Sequence, residues 1–288
     1  MIALIGCIVC SSFIFVLFKV FPKYNIDTFQ AIVFNYFAAT ACALLCFGKE
    51  LDQIPSNINT ILIAAIACAL LFISLFSLMG FSSQKNGLAI TSVAVKMSMA
   101  VSLIAMIIAY KEPLSILKIS GIACAFLGVL LVSIQKKEKS DSKSSVWMLV
   151  VLFFGSGLLD FLLNYTQKYE LNDWHAGLFS GLGFFLAGLI GLCIIIVQII
   201  KKKMKFAFKN VIAGFVLGIP NYFSIYLLMN AYQTSDWNDS TVLAILNVSI
   251  VLIASFIGLL LFQEKLSLKK GFGLMFSILA IMLLFLAT

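Results

Sequence analysis

Ten apolar stretches separated by short polar breaks run along the chain: 2–20, 28–47, 58–80, 87–110, 114–135, 147–167, 174–200, 211–231, 240–262 and 267–287. A helix rises about 1.5 Å per residue, so about twenty such residues cross the roughly 30 Å hydrocarbon core of a bilayer. The pattern predicts an all-α integral membrane protein with ten transmembrane helices. Almost no sequence is left over for a soluble domain. The first stretch has no basic residue before it and no small-residue cleavage site after it. It is read as a retained helix, not a signal peptide.

Interruptions of this pattern carry the functional information. Lys96 lies inside the run 87–110, and Asp160 lies inside 147–167. A charge at bilayer depth is costly and usually marks a pathway or a substrate contact. Two of opposite sign predict a polar cavity through the membrane. Counted from the same side, Lys96 lies about 14 Å and Asp160 about 20 Å along their helices. A lysine stem spans that difference, so a direct or water-mediated ion pair is within reach. The alternative is a structural pair that pins two helices, which repays its desolvation only with excellent geometry.

Other polar residues within the spans extend the list of pathway candidates. Asn164 is one turn beyond Asp160 and shares its face, as does Gln167. Asn247 lies in the ninth span, the Asn35-Tyr36 dipeptide in the second and Asn221-Tyr222 in the eighth. Each is read either as lining the pathway or as interhelical hydrogen-bonding glue worth about 0.6 kcal/mol. Pro220 frees a backbone carbonyl next to Asn221, which at membrane depth needs protein or water around it. Lys19 ends the first span and can snorkel to the headgroups. Glu112 and Glu264 are read as capping loops between helices. Glycines at four-residue spacing, Gly177/Gly181 and Gly214/Gly218, predict close helix approach.

The chain repeats itself. Tyr110-Lys-Glu-Pro-Leu-Ser-Ile-Leu-Lys-Ile-Ser-Gly121 after the fourth span aligns with Phe262-Gln-Glu-Lys-Leu-Ser-Leu-Lys-Lys-Gly-Phe-Gly273 after the ninth. At a constant offset of 152, Glu112 matches Glu264, Leu114 matches Leu266, Ser115 matches Ser267, Lys118 matches Lys270 and Gly121 matches Gly273. The first and sixth spans both exit through Lys-Tyr, at Lys23-Tyr24 and Lys168-Tyr169. Residues 1–137 and 146–288 are thus two five-helix repeats joined by a charged linker, 138–145. An odd number of crossings forces the second copy to enter from the other side, giving an inverted repeat with its binding site near the midplane.

The ten-helix layout and the paired E-x-L-S-x-x-K-x-x-G stretches resemble the EamA-type members of the drug/metabolite transporter superfamily. The Gly218-Ile-Pro-Asn-Tyr-Phe stretch is similar to sequences in some bacterial members. The resemblance covers essentially the whole chain. It implies movement of small metabolites, often export of amino acids or related compounds, across a bacterial inner membrane. Many relatives carry a proline midway along the fourth and ninth helices and a tryptophan in the first. This chain has neither: 87–110 and 240–262 contain no proline, and the first span reads Cys10-Ser-Ser-Phe-Ile-Phe. No ligand set is therefore carried over from the family.

Composition agrees with a membrane protein: 62% of residues are hydrophobic, only 11% are charged, and mean hydropathy is +1.10. The net charge of +8 comes entirely from lysines and acids. The loops after odd-numbered spans, with adjoining helix ends, hold fifteen lysines and four acids, including KKEKSDSK at 136–143 and KKKMK at 201–205. The opposite side holds four lysines and seven acids. Such runs are read as topology signals, not nucleic-acid contacts. They put the lysine-rich loops in the cytoplasm and both termini outside. The seven cysteines all lie in apolar spans and are read as packing residues. No histidine or second pair accompanies the Cys7/Cys10 and Cys42/Cys46 spacings, so no metal is expected. His175, beside Trp174, is read as an interfacial anchor.

These features point to a secondary transporter, with a small-molecule substrate and the bilayer as its partners. No cofactor is expected and the oligomeric state is open. No Gly-rich phosphate loop occurs, so the chain does not itself hydrolyse ATP; proton coupling and facilitated diffusion both stay open. A lipid-carrier flippase of the same layout is the alternative. An intramembrane transferase needs clustered acids or a catalytic histidine, and Asp160 is the only acid in a span interior.

Overall fold

In a computed structural model of the protein, described for residues 2–48, 57–111, 115–133, 142–171, 175–234, 239–264 and 268–287, the chain is all-α. The described residues form eleven helices: α1 (Ile2–Val20), α2 (Thr28–Phe47), α3 (Ile58–Lys85), α4 (Leu88–Met97), α5 (Met99–Tyr110), α6 (Ile116–Ser133), α7 (Ser142–Tyr169), α8 (His175–Ile200), α9 (Phe208–Thr234), α10 (Asp239–Leu260) and α11 (Leu268–Leu286). Seven membrane-spanning stretches are long and apolar enough to cross on their own, and Ile116–Leu131, Ser249–Leu260 and Gly271–Leu283 are shorter apolar helices. Helices dominate because lipid offers no partner to an unpaired peptide group, so each span must satisfy its backbone internally.

Several helices outrun their apolar spans. α3 continues to Lys85 and α7 starts at Ser142, inside the linker expected at 138–145. Helical hydrogen bonding does not stop where hydrophobicity does, and polar turns at the headgroup level extend it. The larger departure is a local irregularity in the fourth span: α4 ends at Met97 and α5 begins at Met99, while Ser98 between them keeps helical angles (φ −54, ψ −21), so Leu88–Ala109 remains one membrane-length stretch.

Helix ends show how the chain crosses. Gln84 at the end of α3 donates to the Phe18 carbonyl (3.0 Å) and to the Thr28 hydroxyl (2.7 Å). Asp27 caps α2 by accepting the Gln30 N–H (2.9 Å), and its own N–H donates to Asn210 Oδ1 at the start of α9 (3.0 Å). Gln30 and Asn210 also bond each other (2.9 Å), and Gln30 donates to the Lys205 carbonyl (2.8 Å). The exits of α1, α3 and α8 therefore share one end, the lysine-rich one. At the other end Asn57, before α3, donates to the carbonyl (3.0 Å) and carboxylate (2.8 Å) of Glu170, just after α7. So α1 and α7, the first helices of the two halves, exit at opposite ends.

Packing interleaves the halves. The most extensive interfaces are α6 with α11 and α2 with α9, followed by α2–α8, α1–α9, α3–α8 and α3–α7. Exchanging each helix for its counterpart in the other half turns α2–α9 into α8–α3, α1–α9 into α7–α3, and α1–α10 into α7 against α4 and α5; all of these pairs are present. The left-handed residues that end α5 and α10, Lys111 (φ 54) and Gln263 (φ 50), stand 152 positions apart, the offset of the sequence repeat.

The α2–α9 seam depends on missing side chains. A methyl at Gly218 would lie 2.5 Å from the Asn35 carbonyl oxygen, and one at Gly214 would lie 2.7 Å from that of Ala31. Neither backbone could approach so closely with a larger residue. The expected four-residue glycine spacing thus serves helix contact.

Candidate functional site

The interruption at Ser98 arises without proline. The Ser98 hydroxyl donates to the Val95 carbonyl at 2.6 Å, competing with the backbone N–H that a continuous helix would bring there. Its own carbonyl takes the Val101 N–H (2.8 Å) in a tightened turn and the Ser102 N–H at 3.1 Å. Ser102 in turn donates to the Met99 carbonyl (3.0 Å). Serines bonded back into their own helix bend and weaken it.

Gly157 of α7 is pressed against this break. A methyl there would lie 2.5 Å from Val101 Cβ and 2.7 Å from the Ser98 carbonyl. Asp160 follows one turn later on the same face, and its carboxylate lies 3.5 Å from the Ser98 hydroxyl. Lys96 stands two residues before the break. Lys96 and Asp160 interact electrostatically but do not close to the 4.0 Å of an ion pair. Asp160 is surrounded by protein at a distance, yet its side chain stays accessible. Lys96 is partly accessible in the same region, whereas Ser98 is fully buried.

Three further elements complete the surroundings. Cys7 of α1 neighbours Lys96, and its thiol donates to the Ser224 carbonyl of α9 at 2.9 Å. Asn247 of α10 is buried, and its amide donates to the Met99 sulfur at 3.3 Å, next to the break. Asn164, one turn beyond Asp160, is exposed. Of the candidate residues, then, Lys96, Asp160 and Asn247 lie at or beside Ser98, and Asn164 lies one turn beyond Asp160 on α7. Cys7, Ser98 and Gly157 were missed by sequence reasoning. For Gly157 the signal was present, as a glycine one turn before an intramembrane acid.

Four candidates lie elsewhere. Asn35 and Tyr36 are fully buried in α2. The Tyr36 hydroxyl donates to the Phe72 carbonyl (2.7 Å), and its ring stacks on Phe184 at 5.8 Å. The Asn35 amide donates to the Ile32 carbonyl within its own helix (3.3 Å). Both occupy the contact of α2 with α3, α8 and α9, where packing uses every face of α2. Asn221 and Tyr222 of α9 are also buried; Tyr222 stacks on Tyr226 (6.2 Å) with its hydroxyl beside Cys42 and Cys46 of α2. All four are buried at helix–helix contacts, and Asn35 Oδ1 and the Tyr222 hydroxyl have no hydrogen-bond partner there. Lys19 does not reach for headgroups: it forms a 2.9 Å ion pair with Glu264. The side chains of Gln167 and His175, and all of Glu112, lie outside the described residues. Among the described residues, no three His, Cys, Asp or Glu side chains gather as a metal site.

The arrangement holds one cation and one anion on packed helices within apolar spans, beside the tightened turn at Ser98. Comparison with known proteins agrees with a transport role. Residues 1–134 match the model of the EamA-like transporter family. The chain is also similar over nearly its full length to an uncharacterized protein of Haemophilus influenzae, 28% identical over 290 residues that cover 98% of this chain and 97% of that one.

Proposed function

We propose that this chain, whose residues 1–134 belong to the EamA-like transporter family, is a secondary transporter that carries a small zwitterionic metabolite, such as an amino acid or a related compound, by alternating access. The observation that carries this reading is that Lys96 and Asp160, on packed helices, stay unpaired with their side chains accessible. Two opposite charges held apart at membrane depth lack the mutual compensation of a closed pair. A substrate bearing a carboxylate and an ammonium group supplies both missing partners. The tightened turn at Ser98 gives the fourth span a point at which to bend, and two oppositely directed halves supply the two-sided framework that alternating access needs. In this reading the protein sits in a bacterial inner membrane with its lysine-rich end in the cytoplasm.

A thermal-shift screen of the purified protein tests it. A ligand bound to the folded state at a hundred times its Kd adds about 2.7 kcal/mol of apparent stability. Zwitterionic amino acids are expected to raise the melting temperature, while simple amines, carboxylates, sugars and nucleosides do so less. Lys96→Gln and Asp160→Asn should each remove the shift. A shift that survives both replacements would place the substrate elsewhere.

A further inference from the structure

The lysine-rich end holds a second polar cluster, separate from Lys96 and Asp160. After α10 the chain turns at Gln263, in the left-handed region, and the Glu264 N–H returns to the Gly258 carbonyl at 2.9 Å. The Glu264 carboxylate then pairs with Lys19 near the end of α1 (2.9 Å), with the side chains only 16% and 20% exposed. The Leu88 N–H, first in α4, donates to both of its oxygens, at 3.0 and 3.1 Å. A carboxylate here satisfies a free helical N–H and opposes the positive end of the helix dipole. The space is kept by glycine. Gly87 has φ +98, and a methyl there would meet the carboxylate at 2.5 Å; one at Gly258 would meet it at 2.7 Å. One side chain thus ties together α1, α4 and α10, from both halves of the molecule.

Between this cluster and Lys96 there is no opening along α4: Leu88 to Ala94 are each 4% exposed or less. Asp160, just beyond the break, is accessible. Seen from the lysine-rich end, the accessible charges thus lie beyond a fully packed stretch of α4.

We propose that Lys19, Glu264 and the amino-terminus of α4 form the closed gate of the lysine-rich side, which must part before Lys96 and Asp160 can face that side. The ion pair and the helix-capping bonds break together, because one carboxylate makes both. Water then takes over as partner to the freed groups. The gate rests on the transport site proposed above, but its test needs neither substrate nor transport.

The test uses the full-length protein in membrane vesicles of defined sidedness, with Ser92→Cys placing a thiol on the buried stretch of α4. A membrane-impermeant maleimide is added from the lysine-rich side, and the label at position 92 is quantified by peptide mass spectrometry, leaving the seven native cysteines in place. Labelling is expected to be slow in this parent and about tenfold faster on adding Glu264→Gln, since charge-assisted hydrogen bonds are among the stronger ones. Lys19→Gln leaves the Leu88 bonds intact and should give a smaller rise. Labelling from the opposite side should stay slow, since Ser92 is fully buried in this state. Unchanged labelling in the Lys19→Gln protein, which keeps the helix cap and so its fold, would overturn the proposal. So would an equal rise from both sides, which would mean general loosening. A working gate in a protein that binds no zwitterion would count against the substrate reading alone.

Discussion

Asp160 and Tyr36 are both polar side chains within apolar spans, and their surroundings differ. Asp160 is an accessible acid facing a lysine that does not neutralise it. Asp160→Asn keeps the shape but removes the titrating group. The variant is expected to stay folded and to lose the pH dependence of uptake in proteoliposomes; unaltered pH dependence would make the residue structural. Tyr36 has no access and a complete set of contacts. Tyr36→Phe should lower stability by about 1 kcal/mol, the typical net worth of one hydrogen bond, without changing substrate affinity, as read by thermal unfolding and a binding titration. The charged candidates were legible because a charge in hydrocarbon is too costly to be accidental. The Asn-Tyr pairs were not, because a neutral polar group is tolerated wherever a neighbouring helix supplies a partner, and neighbours are a tertiary property.

At the level of elements, the interrupted fourth span matters most for function. Its run of apolar residues predicts one straight helix, and without a proline nothing in the hydropathy shows a break. The break comes from hydroxyls returned to their own backbone at Ser98 and Ser102 and from the close seating of Gly157. Such geometry depends on side-chain rotamers, which periodicity does not encode. Gly157→Leu should push α7 away from the break. Overpacking of this kind costs about 1–3 kcal/mol, and it would also displace Asp160. Melting temperature and substrate affinity should therefore fall together. If stability alone drops, α7 does not position the acid.

For the whole molecule, the loops matched at offset 152 have a structural echo: Lys111 and Gln263 both adopt left-handed angles at that spacing. Orientation follows from the lysine bias: alkaline phosphatase fused to the C-terminus should be active, and a green fluorescent fusion dark. The reverse result would invert the topology and place the Glu264 gate outside. The degree to which the halves interleave was not legible, since similarity between two segments does not say which of their helices touch. α2 packs chiefly on α8 and α9, and α6 chiefly on α11. Asp27 waits for Asn210, 183 residues later, to bond its N–H. During synthesis the early helices therefore enter the membrane well before their main neighbours exist. Residues 1–137 made alone should be short-lived, and co-expression of 146–288 should restore their abundance on an immunoblot, because each half acts as the folding template of the other.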